Sequence, residues 1–208
     1  MVIFDFDGTI VDNISLAIDI VNAHSEVYKY KKVNREENGD LSAFEVVKFM
    51  EVKYWKLPYL MYQLRKKINE RESEVKIIPG IKETLESLKN SGYQLGILTS
   101  NTNANVNKFL KKFGIDSYFT YIKTRVPIFG KKQALHKASK QLNRNFIYIG
   151  DEIRDIEACR KNNIPIISVG WGLNSTSALE KANPGLVAKT AEDITKLIEQ
   201  YKEDLFRG

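Results

Sequence analysis

Short apolar runs alternate with stretches of helical periodicity along most of the chain. Val2 to Phe6 is apolar, β-branched and aromatic, which predicts a buried strand, and Asp7-Gly8-Thr9 punctuates it. From Ile14 to Tyr30 the spacing predicts a helix with Ile14, Ala17, Ile18, Val21 and Ser25 near one face and Asp12 or Asn13 as its cap. After the break at Asn38-Gly39-Asp40, Leu41 to Val52 reads as helical through Leu41, Phe44, Val47 and Phe49 or Met50. Pro58 opens a further helix near its first turn, carrying Leu60, Met61, Leu64 and Ile68. Residues 13–77 are therefore expected to be almost purely helical.

The pattern changes at Ile78-Pro79-Gly80. Ile81, Leu85 and Leu88 mark an amphipathic helix stopped by Ser91-Gly92. Strands are expected at Leu95–Thr99, Tyr118–Ile122, Phe146–Gly150, Pro165–Gly170 and Leu186–Ala188. Helices are expected at Asn103–Phe113, Lys131–Leu142, Ile153–Lys161 and Ile194–Tyr201. Strands alternating with helices imply an α/β fold, a Rossmann-like doubly wound parallel sheet covered on both faces. An all-helical insertion interrupts it after the first strand, so the expected division is a core of residues 1–12 and 78–208 and a helical unit of 13–77.

Composition excludes several classes. The 208 residues are 43% hydrophobic and 28% charged, which is globular rather than disordered. The single cysteine, Cys159, rules out an internal disulfide framework and a multi-cysteine zinc cluster, and a reducing, cytoplasmic setting is expected. No apolar run approaches the roughly 18 residues of a membrane helix, and Val2-Ile3-Phe4 reads as the first strand of a mature domain without a secretory signal. The net charge of +6 comes from basic residues dispersed among acids, so it names no nucleic-acid partner.

In an open parallel sheet ligands bind beyond the carboxyl ends of the strands, which turns those ends into a shortlist. The first ends in Asp5-Phe6-Asp7-Gly8-Thr9. Asp5 and Asp7 lie two apart on an extended segment, share a face, and repel unless a cation or a shared proton intervenes. Gly8 permits a sharp turn, and Thr9 can offer its hydroxyl or amide to an anion. A later strand ends in Gly150-Asp151, with Asp155 one helical turn beyond Asp151. These carboxylates make an oxygen-rich, histidine-free set that suits Mg²⁺. Thr99, with the Ser100 and Asn101 amides near a helix start, can hold phosphate oxygens. Gly130-Lys131-Lys132 opens a helix and supplies a lysine, with Lys131 ahead of Lys132 because it directly follows the glycine.

These residues in this order resemble the haloacid dehalogenase superfamily of hydrolases. Asp5-Phe6-Asp7-Gly8-Thr9 matches its first motif, Thr99 its second, Lys131 its third, and Gly150-Asp151 with Asp155 its fourth. The helical insertion between the first and second motifs resembles the cap of the phosphoglycolate phosphatase-like branch. The resemblance implies a Mg²⁺-dependent phosphatase of small phosphorylated metabolites, with Asp5 as nucleophile forming an aspartyl-phosphate and Asp7 as acid and base. It implies Mg²⁺ held by Asp5, the Asp7 carbonyl and Asp151, with Asp155 as a ligand or just behind one. Gly8, Thr9, Thr99, Ser100, Asn101 and Lys131 would surround the phosphoryl group. A phosphomutase on the same core stays open, and a catalytically silent nucleic-acid binder is the alternative from another class. Lys56 and Arg65 are candidate cap contacts, Tyr54 and Trp55 are expected to pack within the cap, and Trp171-Gly172, just after the Val169 strand, is expected in a packed loop, with the edge of the site as the alternative. Substrate identity and oligomeric state are not legible.

Overall fold

The computed structural model describes residues 1–200 and 202, apart from 42, 128, 129 and 144. In chain order it contains β1 (Val2–Phe4), β2 (Val11–Asp12), α1 (Ile14–Ala23), α2 (Ser25–Tyr28), α3 (Arg35–Asn38), α4 (Ala43–Phe49), α5 (Leu57–Glu70) and β3 (Lys76–Ile77). There follow α6 (Ile81–Asn90), β4 (Leu95–Leu98), α7 (Asn103–Phe113), β5 (Phe119–Lys123), α8 (Lys131–Gln141) and β6 (Ile147–Gly150). The chain continues through α9 (Ile153–Arg160), β7 (Ile166–Val169), α10 (Thr176–Ala182), β8 (Val187–Ala188) and α11 (Ala191–Gln200).

Six strands form one sheet in the order β5-β4-β1-β6-β7-β8, with every neighbouring pair parallel. Alternation along the strands assigns the two faces. Val2, Phe4, Leu95, Ile97, Ile147 and Ile149 pack with Ile81 and Leu85 of α6, Phe109 of α7 and Ile194 and Ile198 of α11. Ile3, Leu98, Tyr148 and Ile166 look the other way, onto Leu135 of α8, Ile156 and Cys159 of α9, and Leu179 of α10. Because both faces are covered, the strands read as continuous apolar runs. The chain leaves β1 toward β4 on one side and later returns to β6 on the other. The carboxyl end of β1 is thus the topological switch point, where a crevice opens.

The insertion departs from expectation in three places. First, it is entered and left through a two-stranded antiparallel ribbon, Val11 opposite Ile77 and Asp12 opposite Lys76. Two-residue strands are too short to show a period, which is why 13–77 looked wholly helical. Second, the helix expected over Ile14–Tyr30 breaks at His24. The Asn22 side chain accepts from the Val33 amide at 2.8 Å and donates to its carbonyl at 2.7 Å, tying the end of α1 to the following loop. Third, α1 buries Leu16 and Ile20 in the core, while Ile14 and Ala17 line a cavity instead. Tyr30, Val33, Met50 and Val52 form a separate small core within the insertion.

Candidate active site

The carboxyl ends of β1, β4 and β6 meet the start of α8 in one buried cluster. Asp5 follows β1 directly, and its Oδ1 accepts the Phe6 amide at 2.7 Å. Lys131, the first residue of α8, is buried and donates to Asp5 Oδ2 while lying 2.6 Å from Asp155 Oδ1. Its ammonium also stands 5.3 Å above the Tyr148 ring, a favourable cation–π distance. Burial alone would discharge Lys131, but Asp155 and Asp5 more than offset it and hold the amine charged, well above the usual lysine range. Lys132 is exposed, so only Lys131 reaches the carboxylates.

Asp151 ends β6 and is buried among oxygen and nitrogen donors. Thr9 Oγ1 donates to its Oδ1 at 3.1 Å and the Leu173 amide to its Oδ2 at 2.7 Å. Gly8 adopts φ +75°, and a Cβ there, or on Gly172, would collide with the Asp151 carboxylate. Glycine is required at both positions to let backbone close on that side chain. One turn along α9, Asp155 is fully buried, and its Oδ2 accepts the Glu152 amide at 3.4 Å. Burial lifts the Asp155 carboxyl to about 6 despite the Lys131 charge. Burial also pushes Asp151 well above the carboxylate range, and repulsion from Glu152 and Asp5 adds to the shift.

Asp7 stands across the crevice with a different partner set. Asn13 Nδ2 donates to its Oδ1 at 2.6 Å, and Asn101 Nδ2 lies 3.1 and 3.2 Å from its two oxygens. Burial, then repulsion from Asp5, raises the Asp7 carboxyl to about 6, against the lowering effect of these two amides. A cavity of about 150 Å³ opens beside Asp7. Asn13, Ser100, Asn101 and Asn105 line its polar side, and Ile14, Ala17, Met61, Leu64 and Ile68 its apolar side.

Several expected roles shift. The Thr9 hydroxyl is committed to Asp151 and its amide to the Phe6 carbonyl at 3.3 Å, so Thr9 steadies a carboxylate rather than facing an anion. The Gly8 amide likewise donates to the Val11 carbonyl at 2.9 Å. Thr99 Oγ1 accepts the Asn101 amide at 3.0 Å, which withdraws that amide from the anion-binding role and gives it to the turn. The Asn101 side chain instead reaches Asp7. Asn13 stands at the start of α1 yet makes no side-chain cap: its Nδ2 is turned to Asp7, and its buried Oδ1 accepts no hydrogen bond from the described residues. Tyr54 and Trp55 are 61% and 73% exposed rather than packed within the insertion. Lys56 is half-buried away from the cavity lining, and the Arg65 side chain lies outside the described residues. Asn13, expected only as a helix cap, and Trp171, expected in a packed loop or at the site edge, are both site neighbours, the Trp171 indole donating to the Thr9 carbonyl at 3.3 Å.

Asp5, Asp151 and Asp155 each place an oxygen within 4.8 Å of the others'. Once ionised, three buried carboxylates against the Lys131 ammonium leave two negative charges, the complement of one divalent cation. The all-oxygen donor set fits a hard ion such as Mg²⁺. Residues 2–169 match the family model described as haloacid dehalogenase-like hydrolase. The chain belongs to that family. A phosphoglycolate phosphatase from Synechococcus elongatus is 29% identical over 205 residues, covering 96% of this chain and 97% of its own. The pyrophosphatase PpaX of Oceanobacillus iheyensis is 25% identical, with 95% of each chain covered. A predicted phosphatase from Clostridium acetobutylicum shares the fold at a TM-score of 0.79 and 23% identity, over 96% of this chain and 97% of that one. This member is therefore a hydrolase whose named relatives are phosphatases, and no helix among its described residues is long and apolar enough to cross a membrane.

Proposed function

We propose that this hydrolase is a Mg²⁺-dependent phosphatase of small phosphorylated metabolites, working through an aspartyl-phosphate on Asp5. The observation that carries the reading is the Asp5–Lys131–Asp155–Asp151 cluster, which combines a carboxylate nucleophile, a buried ammonium and a divalent-cation donor set at one strand end. Asp5, Asp151 and Asp155 would hold Mg²⁺, with the Asp7 carbonyl as a further donor. When bound, the ion supplies positive charge to the phosphoryl oxygens and aligns the phosphorus with Asp5.

The protein groups divide the remaining work. Asp5 Oδ attacks phosphorus in line, and the P–O bond to the leaving group breaks as the new one forms. Asp7, with a carboxyl raised to about 6, delivers the proton to the departing oxygen. The resulting Asp7 carboxylate then takes a proton from the water that hydrolyses the acyl phosphate. Lys131 and Thr99 would hold phosphoryl oxygens, with Ser100 beside them, and Asn13 and Asn101 fix the Asp7 rotamer through three contacts.

The helical unit of about residues 13–77 would act as a cap over a core of 1–12 and 78–208. Its contribution to the cavity wall is Asn13, Ile14, Ala17, Met61, Leu64 and Ile68, so it surrounds the leaving group rather than the phosphoryl group. Phosphoglycolate and pyrophosphate, the substrates in the relatives' names, both present the terminal phosphoryl group this core would recognise. The lone buried thiol, Cys159, suits a reducing compartment such as the cytoplasm.

The test is hydrolysis of p-nitrophenyl phosphate with Mg²⁺, with EDTA, and by Asp5→Asn. Turnover abolished by both EDTA and the substitution supports the proposal. Turnover that persists without metal overturns it. A panel of phosphoglycolate, pyrophosphate and sugar phosphates ranked by kcat/KM then identifies the substrate class.

A further inference from the structure

Beyond β7 the chain runs Gly170-Trp171-Gly172-Leu173-Asn174-Ser175 into α10. This loop grips Asp151 from three directions. The Leu173 amide donates to its Oδ2 at 2.7 Å, and the Asn174 amide donates to its carbonyl at 3.3 Å. Gly172 lies so close that a Cβ would overlap the carboxylate. The same loop grips the helical insertion. Asn174 is fully buried, and its Nδ2 donates to the carbonyls of Gly39 at 3.0 Å and Leu41 at 2.7 Å. Its Oδ1 accepts the amide of Ile153 at 2.9 Å, at the start of the helix that carries Asp155. Ser175 adds its amide to the Gly39 carbonyl at 2.7 Å and its hydroxyl to Asp40 Oδ1.

We propose that Asn174 is a positioning residue that couples docking of the 39–41 loop to the placement of Asp151. The inference rests on the reading of Asp5, Asp151 and Asp155 as Mg²⁺ ligands. Both Nδ2 protons and the Oδ1 acceptor of Asn174 are used at once, on two separate segments, 39–41 and the start of α9. Withdrawing the 39–41 loop would strand that buried amide and remove one side of the clamp that holds residues 172–175 against Asp151. Coupling of this kind is reciprocal: whatever favours the docked loop favours the ion, and the ion favours the docked loop. The insertion thus reports its position to the metal site through a residue that touches neither metal nor substrate.

The experiment measures Mg²⁺ affinity by calorimetry in the full chain and in Asn174→Asp, which keeps an acceptor for the Ile153 amide and removes both donors. Hydrogen exchange of the 39–41 amides is followed with and without Mg²⁺. Coupling predicts Mg²⁺ binding weakened about tenfold in the variant, within the usual range for linked sites. It also predicts Mg²⁺-dependent protection of 39–41 that the variant loses. A merely structural role predicts a lower Tm with Mg²⁺ affinity unchanged, and that result overturns the proposal. If Asn174→Asp does not fold, Asp40→Ala at the exposed rim decides alone: weaker Mg²⁺ binding and reduced protection support the coupling, and wild-type values overturn it. A wild-type chain that binds no Mg²⁺ overturns the metal reading and the coupling with it. Binding that is equal in wild type and variants overturns the coupling only.

Discussion

Lys131 Nζ bridges Asp5 and Asp155, pairing with Oδ2 of the first and lying 2.6 Å from Oδ1 of the second. Two carboxylates that would repel each other in a dry site are held together by one ammonium. Removing one partner of a buried ion pair is strongly destabilising, by about 3–5 kcal/mol, because the remaining charges lose their compensation. Lys131→Met is expected to lower the stability of the metal-free protein by that order in urea unfolding and to abolish phosphatase turnover. Lys132→Met should leave both near wild type, since that side chain is exposed.

Asp7 as proton donor makes a prediction about leaving groups. A general acid contributes about 10²–10⁴-fold when the departing oxygen is strongly basic. Asp7→Asn should therefore cost far more with an alkyl phosphate than with p-nitrophenyl phosphate, whose leaving group departs without a proton. Equal losses on the two substrates would remove Asp7 from that role. The Asn side chain retains the shape that packs beside Asn13 and Asn101, so gross unfolding is not expected.

Mg²⁺ held by Asp5, Asp151 and Asp155 would also fix a pH dependence. Asp155 has its carboxyl raised to about 6 and Asp151 is pushed well above its usual range, in each case chiefly by burial. For a carboxyl raised in the folded state, the native protein holds its proton longer than the unfolded chain does. The contribution of these carboxyls to the stability of the metal-free protein is therefore fully present below the unfolded value near 4 and is lost as pH rises toward 6, by about 1.4 kcal/mol per pH unit of separation. Mg²⁺ binds the ionised forms, so it must displace protons at low pH and none at high pH. The rise in Tm on adding Mg²⁺ should be larger at pH 7.5 than at pH 5. An increment that is flat across this range would contradict the assignment of these carboxylates to the ion.

The cavity wall offers a separate handle on specificity. Leu64 of α5 lines the roughly 150 Å³ space beside Asp7. Leu64→Trp should raise KM severalfold for bulky phosphomonoesters while leaving turnover of the smallest nearly intact, with a stability change of about 1–3 kcal/mol from overpacking. A uniform fall in kcat for all substrates would place Leu64 outside the leaving-group pocket.

Much of the fold was legible because its strands are buried on both faces and its helices amphipathic. The helix over Asn103–Phe113 ending at Gly114 was read to the residue, since an apolar stripe and a left-handed glycine mark its limits. The gathering of Asp5, Lys131, Asp151 and Asp155 at one edge was also legible, because a parallel sheet delivers its strand ends there. What escaped was the traffic between side chains. Thr9 reads as an anion binder for its hydroxyl and amide and Asn101 for its amide near a helix start, yet their donors are consumed by Asp151, the Phe6 carbonyl, Asp7 and the β4 turn. Asn13 looked like a helix cap because caps favour asparagine, and only the folded chain shows its Nδ2 turned to Asp7 with Oδ1 off the helix amides. Asn174 gave one available signal: it lies just past Gly-Trp-Gly at the end of β7, a strand end the shortlist passed over.

The ribbon that joins Val11 to Ile77 and Asp12 to Lys76 has a consequence for how such a chain can diversify. Adjacent strands stand about 4.7–4.9 Å apart, so residues 13–75 form an excursion whose two ends already meet. The entropy lost in closing an excursion grows only with the logarithm of its length. The sheet therefore barely registers what is hung from this port. A longer or shorter body could be exchanged there, and the cavity wall rewritten, provided it still presents a segment to Asn174 as 39–41 does, while the strand end that carries Asp5 stays where it is.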